Sequence, residues 1–229
     1  MEIDLAYERD EETVSDSSEE IHASRRPQKS GKHIREEPTT LTELLAFPLA
    51  VACFKRQSCY HFCEMVERVK YHHDLARLFV LHLDNGQVNL PGVTFTLTPE
   101  TIVEATGIPN VGEQWNKGKL VDKEYYEPYI KASYQKQISR VFPFRYLQDT
   151  YAPLMNLIIK YFGCEGRFSH LYTYHVRLLM HFTRVRMMNI PYFICQHFEK
   201  MATLVQKKPP HQQYNNIYHF ALINIVVLH

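Results

Sequence analysis

The sequence predicts a mainly α-helical fold with a small antiparallel β-hairpin layer, an α+β arrangement, and three observations carry that expectation. Apolar residues recur at helical spacing over most of the chain beyond residue 40. Within 78–97 the period shifts to two, punctuated by Asp84-Asn85-Gly86 and Pro91-Gly92, both tight-turn signals. The length of 229 residues, with 45% hydrophobic and 22% charged side chains, suffices for one ordinary domain with a core, or two small ones.

The elements follow in order. Residues 1–37 hold 11 Asp/Glu against 6 Lys/Arg and few apolar side chains, so they bury too little surface to offset their conformational entropy. We read 1–38 as a disordered tail, acidic at first and basic around Arg25, Arg26 and Lys29, ahead of a helical domain over 39–229. The net charge of +1 therefore hides an acidic tail on a mildly basic body, where 20 Lys/Arg face 14 Asp/Glu. Thr39 or Thr40 suits the cap of a first helix, with Glu43 in its first turn. Pro48 breaks the apolar stretch 44–54, and 58–71 predicts a second helix with Phe62, Val66 and Val69 on one face.

Residues 78–83 read as a strand, joined by 88–90 and by 93–97, where Val93, Phe95 and Leu97 alternate with threonines. Thr98 caps a short helix that starts at Pro99, carries Glu100 near its positive end and closes at Gly107, and Pro109 blocks its continuation. Residues 110–119 read as loop, 125–140 as a Tyr-rich helix and 150–162 as a firmer one. Residues 171–188 carry the longest helical pattern, burying Leu171, Tyr174 or His175, Leu178, Phe182 and Val185. Asn189 and Pro191 open another helix, with Ile194, Phe198, Met201 and Val205 on one face. Residues 214–229 are an apolar helix or strand that stops without a cap, which reads as the cut end of a longer chain.

The segment Val88-Asn89-Leu90-Pro91-Gly92-Val93-Thr94-Phe95-Thr96-Leu97-Thr98-Pro99-Glu100, running on to Gly107-Ile108-Pro109, resembles the plant transposon protein domain of retroelement-derived sequences. The helical stretches on either side of Asn189-Ile190-Pro191 resemble its later half, so the likeness covers about 58–229. The strand–helix portion is also similar to the plant mobile domain of transposase-associated proteins. The resemblance implies a mainly helical, non-enzymatic transposable-element protein and brings no catalytic residue with it.

The chemistry points the same way. Five cysteines are too few, and odd in number, for a disulfide scaffold. The apolar runs are too short to span a bilayer and the acidic start is no signal segment, so no membrane partner is expected and the address is nuclear or cytoplasmic. The eight glycines form no phosphate-binding loop, and Asp149-Thr150 lacks the glycine of a retroelement aspartic protease. We therefore expect no enzyme and no cofactor. Cys59 and Cys63, four apart on a helix, are the nearest approach to a metal pair, but no second pair follows and core packing suits them better. Cys164 or Ser169 beside His170 could be drawn as nucleophile and base, but adjacency alone does not supply the geometry.

Two interaction readings remain. The leading one is a domain that binds a protein partner or itself. The alternative is a DNA- or RNA-binding accessory module of a retroelement. In it, Arg177, His181 and Arg184 neutralise phosphates from one helix face, with Arg186 nearby, while Lys131 and Lys136 interleave with Tyr129 and Tyr134 to track a backbone and stack bases.

Overall fold

The computed structural model describes residues 41–70, 72–114, 126–162, 169–184, 186–209 and 220–229. The tail expected over 1–38 and the caps Thr39 and Thr40 lie outside them, as do Cys164, Val185 and residues 214–219. All described elements fall in one compact unit, Glu36–His229. The fold is mainly helical with a small antiparallel β layer. Among the described residues no helix is long and apolar enough to cross a membrane.

Proline punctuates the first turns. Helix α1 (Leu41–Leu45) stops short of Pro48, which then occupies the first position of α2 (Pro48–Arg56), where its missing N–H costs no hydrogen bond. Helix α3 (Tyr60–Arg68) buries Phe62, Cys63 and Val66, and α4 (His73–Leu81) buries Ala76, Phe79 and Val80. This corrects the strand expected over 78–83. The run Leu78-Phe79-Val80-Leu81 is apolar at every position and fits either period, whereas Ala76 extends the i, i+3, i+4 spacing back toward the N-terminus. Of that segment only Leu83 enters a strand.

The sheet is a three-stranded meander of β1 (Leu83–Asp84), β2 (Gln87–Leu90) and β3 (Val93–Thr96). Leu83 pairs with Val88, and Leu90 pairs with Val93. Asn85 and Gly86 join the first two strands at φ +48° and +76°, the type I′ signature, and Gly92 turns at φ +83°. Helix α5 (Pro99–Thr106) forms as expected: Thr98 Oγ1 accepts from the Thr101 N–H at 3.3 Å, and Gly107 closes it in the left-handed region at φ +70°.

Residues 125–140 depart from the expected helix. They form 3-10 turns at Glu127–Tyr129 and Ala132–Gln137, Tyr125 itself lying outside the described residues. Backbone bonds to a distant segment compete with α-helix formation there: Lys131 N–H donates to the Tyr146 carbonyl (2.9 Å), and Gln148 N–H to that of Tyr129 (2.8 Å). Strand β4 (Val141–Pro143) follows, then α6 (Ala152–Phe162).

The pattern over 171–188 also resolves differently. Leu171 belongs to β5 (His170–Tyr172), paired with Phe142 of β4, and the helix, α7, covers only Thr173–Thr183. The longest helix is instead α8 (Ile190–Gln206), whose Asn189 side chain caps the Tyr192 N–H at 3.0 Å. The connecting backbone is extended because it pairs with Glu113: the Glu113 N–H donates to the Met187 carbonyl and the Asn189 N–H to the Glu113 carbonyl, both at 2.9 Å. The last element, α9 (Phe220–Leu228), is a helix and packs on α4 and α5.

Phe54 of α2 sits at the meeting of α2, α6 and α7, its ring 5.5 Å from Tyr161, 6.0 Å from Phe162 and 5.2 Å from Phe182. Phe79 of α4 meets Phe198 of α8 edge-on at 5.2 Å. Gly112 permits a close backbone approach. It stands at φ +105°, and a Cβ there would lie 2.5 Å from the Met187 carbonyl oxygen. We expect Gly112→Ala to cost about 2 kcal/mol or more, read by urea unfolding, because the positive φ and the clash add.

Candidate interaction surfaces

The first surface is apolar and lies at the elbow between α1 and α2. The stripe that α2 buries runs through Ala50, Cys53 and Phe54. Leu45, Phe47 and Leu49 fall outside it and are 55%, 40% and 41% exposed. Of these, Phe47 lines a groove of about 510 Å³ together with Phe144, Pro153 and Leu157, the polar Asn156 and the ion-paired Glu43 and Lys160. Sequence reading of the apolar stretch 44–54 did not mark this surface, since Leu49 stands one turn before buried Cys53 and shares the edge of its stripe.

The second surface gathers the cations of α7, and here the structure corrects the expected face. His181 is 3% exposed, so it does not stand with Arg177 and Arg184 on a solvated side. It lies beneath Glu113, whose carboxylate is 3.9 Å from Nδ1, and burial lowers its pKa below the ordinary imidazole value. Arg177, Arg184 and Arg186 lower it further, while Glu113 raises it. The three arginines thus act electrostatically on a buried histidine, not beside an exposed one. Arg184 and Arg186 are exposed and Arg177 is half-buried, with Arg186 bonded to Glu113 at 3.2 Å.

The Lys/Tyr set is divided in the same way. Tyr129 is buried, its hydroxyl 2.7 Å from Thr183 Oγ1, so it is packing and not a base-stacking platform. Half-buried Tyr134 already stacks on Tyr146, with centroids 4.0 Å apart and planes 6° from parallel. Lys131 pairs with Asp149 at 2.7 Å, and Lys136 remains exposed. The unforeseen result is that the Tyr129–Thr183 bond joins the two sequence regions.

The 181–188 segment is held by a polar anchor that sequence reading did not single out. Gln57 is 1% exposed, and its amide donates to the carbonyls of His181 (2.8 Å) and Arg186 (3.2 Å) and accepts from the Met188 N–H (3.0 Å). Arg56 adds bonds to the carbonyls of Thr183 (3.1 Å) and Arg184 (3.4 Å).

Cys59 and Cys63 are buried, their sulfurs 3.5 Å from the carbonyls of Phe54 and Cys59, and burial pushes both thiols well above the usual range. Burial also raises the Cys195 thiol to about 12. Among the described residues no three His, Cys, Asp or Glu side chains are placed to share a metal ion. Ser169 Oγ does reach His170 Nδ1 at 2.9 Å, but both residues are exposed, and among the described residues no carboxylate orients the imidazole.

The fold is a mainly helical domain with a small β layer, with exposed apolar side chains at the α1–α2 elbow and three arginines around His181. The chain matches no protein-family model, no curated protein and no solved structure.

Proposed function

We propose that this chain is a non-enzymatic protein-interaction domain that docks a protein partner, or a second copy of itself, on the α1–α2 elbow. The observation that carries this reading is the exposure of Leu45, Phe47 and Leu49 within five residues of one another, with Phe47 also lining a groove, since grouped large apolar side chains on a surface mark an interaction site more often than scattered single ones do. The high thiol pKa values and the sealed imidazole of His181 favour a binding role over catalysis. On this proposal the domain belongs to a transposable-element protein of the nucleus or cytoplasm, a reading that rests on the resemblance of 88–109 to plant transposon protein domains alone.

A photo-crosslinking amino acid at position 47 tests the reading, with exposed Thr94 of the hairpin as the control position. We expect a discrete adduct from position 47 and not from position 94, its mass distinguishing self from partner. The same adduct pattern at both positions contradicts the proposal.

The second reading, nucleic-acid binding, is favoured by one observation, the gathering of Arg177, Arg184 and Arg186 at one end of α7. It predicts anisotropy binding to labelled DNA or RNA that weakens by orders of magnitude between about 50 and about 200 mM salt. Arg184→Ala should reduce that binding, and Tyr129→Phe should leave it unchanged. No binding at the lower salt removes this reading.

A further inference from the structure

The environment of His181 penalises its charged ring more than its neutral one. Among the described residues Nε2 has no hydrogen-bond partner and is sealed from solvent, while Nδ1 stands 3.9 Å from Glu113, beyond hydrogen-bonding reach. A neutral imidazole needs only one donor satisfied, whereas an imidazolium has two N–H donors, and here one would be buried without an acceptor.

The charged groups around it add to this imbalance. Arg177 comes from its own helix, Arg184 and Arg186 from the segment beyond, and Glu113 from the 110–114 loop. Helix α2 contributes Arg56 and the uncharged Gln57, both bonded to carbonyls of the 181–186 stretch. The 3-10 turn contributes the Tyr129 hydroxyl on Thr183, and α6 meets α7 through the rings of Phe162 and Phe182. One carboxylate therefore stands against several guanidinium groups.

The loop that covers this histidine is held by few bonds. Glu113 makes the two backbone bonds to Met187 and Asn189 and the ion pair with Arg186, and Asn189 Nδ2 donates to Asn110 Oδ1 at 2.6 Å. Asn110 in turn donates to Glu100 at 2.8 Å, which ties the loop to α5.

We propose that His181 is an acid-operated latch: neutral, it lies under the 110–114 loop and keeps the loop docked on the α7–α8 junction, and protonation favours the state in which the loop is released. In the released state the ring is hydrated and free of its unpaired donor. Because the docked state disfavours the charged form, the released state takes the proton first. Docking is complete above the ordinary imidazole pKa of about 6.5 and weakens as the pH falls below it, by up to tenfold for each unit of depression.

The test is amide exchange of the full chain between pH 7.5 and 5, expressed as protection relative to the intrinsic rate at each pH. The amides of Glu113 and Asn189 should lose protection several-fold on acidification, while the hairpin amide of Leu97, bonded to the Gly86 carbonyl at 2.7 Å, keeps its own. His181→Gln should flatten the pH dependence. Glu113→Gln, which removes the one charge favouring the imidazolium, should steepen it, and Arg184→Gln should make it shallower. Equal loss in the wild type and His181→Gln, or constant protection in the wild type, overturns the latch. Should His181→Gln not fold, the imidazole titration of His181 in the wild type decides: a midpoint below about 6.5 supports the latch, and one at or above it overturns it.

Discussion

Gln57→Ala is expected to remove about 3 kcal/mol or more of stability, the largest single effect we predict for a polar side chain here. The substitution leaves the Met188 N–H and the carbonyls of His181 and Arg186 without their partner, and each buried, unpaired backbone group costs about 1–3 kcal/mol. Water entering the space would recover part of that, so the lower end of the summed cost is the expectation. A domain of this size has a total stability of about 5–15 kcal/mol. The urea midpoint should therefore fall substantially with little change in slope. Gln57→Glu tests the same site from another direction. It retains the acceptor for Met188 but opposes two carbonyl oxygens with a carboxylate, and it should be at least as destabilising.

Phe54→Ala is the second large effect, at about 3–5 kcal/mol. Its ring is fully buried and contacts Tyr161, Phe162 and Phe182, which belong to two other helices. The surrounding aromatic rings are held by further neighbours, with Phe162 packing on Phe62 and Phe182, so they cannot collapse into the space. Phe54→Leu retains most of the volume and should cost roughly half as much, while losing the edge-on geometry toward Tyr161. Thermal unfolding of both variants would separate the cavity from the loss of aromatic contact.

Local chemistry was legible in the sequence wherever it was decided by a few adjacent residues. Pro48 placed the break between α1 and α2, Asn85-Gly86 and Pro91-Gly92 set the hairpin turns, and Thr98, Pro99 and Gly107 bounded α5. What could not be read was set across long separations. The extended run 186–189 exists because Glu113 pairs with it, some 74 residues away in sequence. Gln57 bonds Met188 across 131 residues. Periodicity alone put His181 on an outer face with Arg177 and Arg184. The helix is instead covered on that side by the 110–114 loop, which no helical wheel contains. The apolar run in 78–81 carried no period at all, and packing of α4 on α8 decided it in favour of helix.

The same reasoning explains why the candidate surfaces were only half visible. Arg177 and Arg184 were visible in the sequence, because their spacing is a property of the segment itself, whereas the burial of His181 between them was not. The apolar elbow was not, because Leu45, Phe47 and Leu49 look like core until the buried stripe of α2 is known. Their exposure also makes the docking proposal separable from stability. Leu45→Asp and Leu49→Asp change side chains that lie outside the packed core, 55% and 41% exposed, so each should change folding by about 1 kcal/mol or less.

That separation gives the most direct test of the docking reading. The yield of the position-47 crosslink should be compared between the native sequence and the Leu45→Asp/Leu49→Asp double variant, with the melting temperature of both recorded. The account predicts an adduct that is lost in the double variant while the melting temperature stays within a few degrees of the native value. An undiminished adduct in a folded double variant would contradict it.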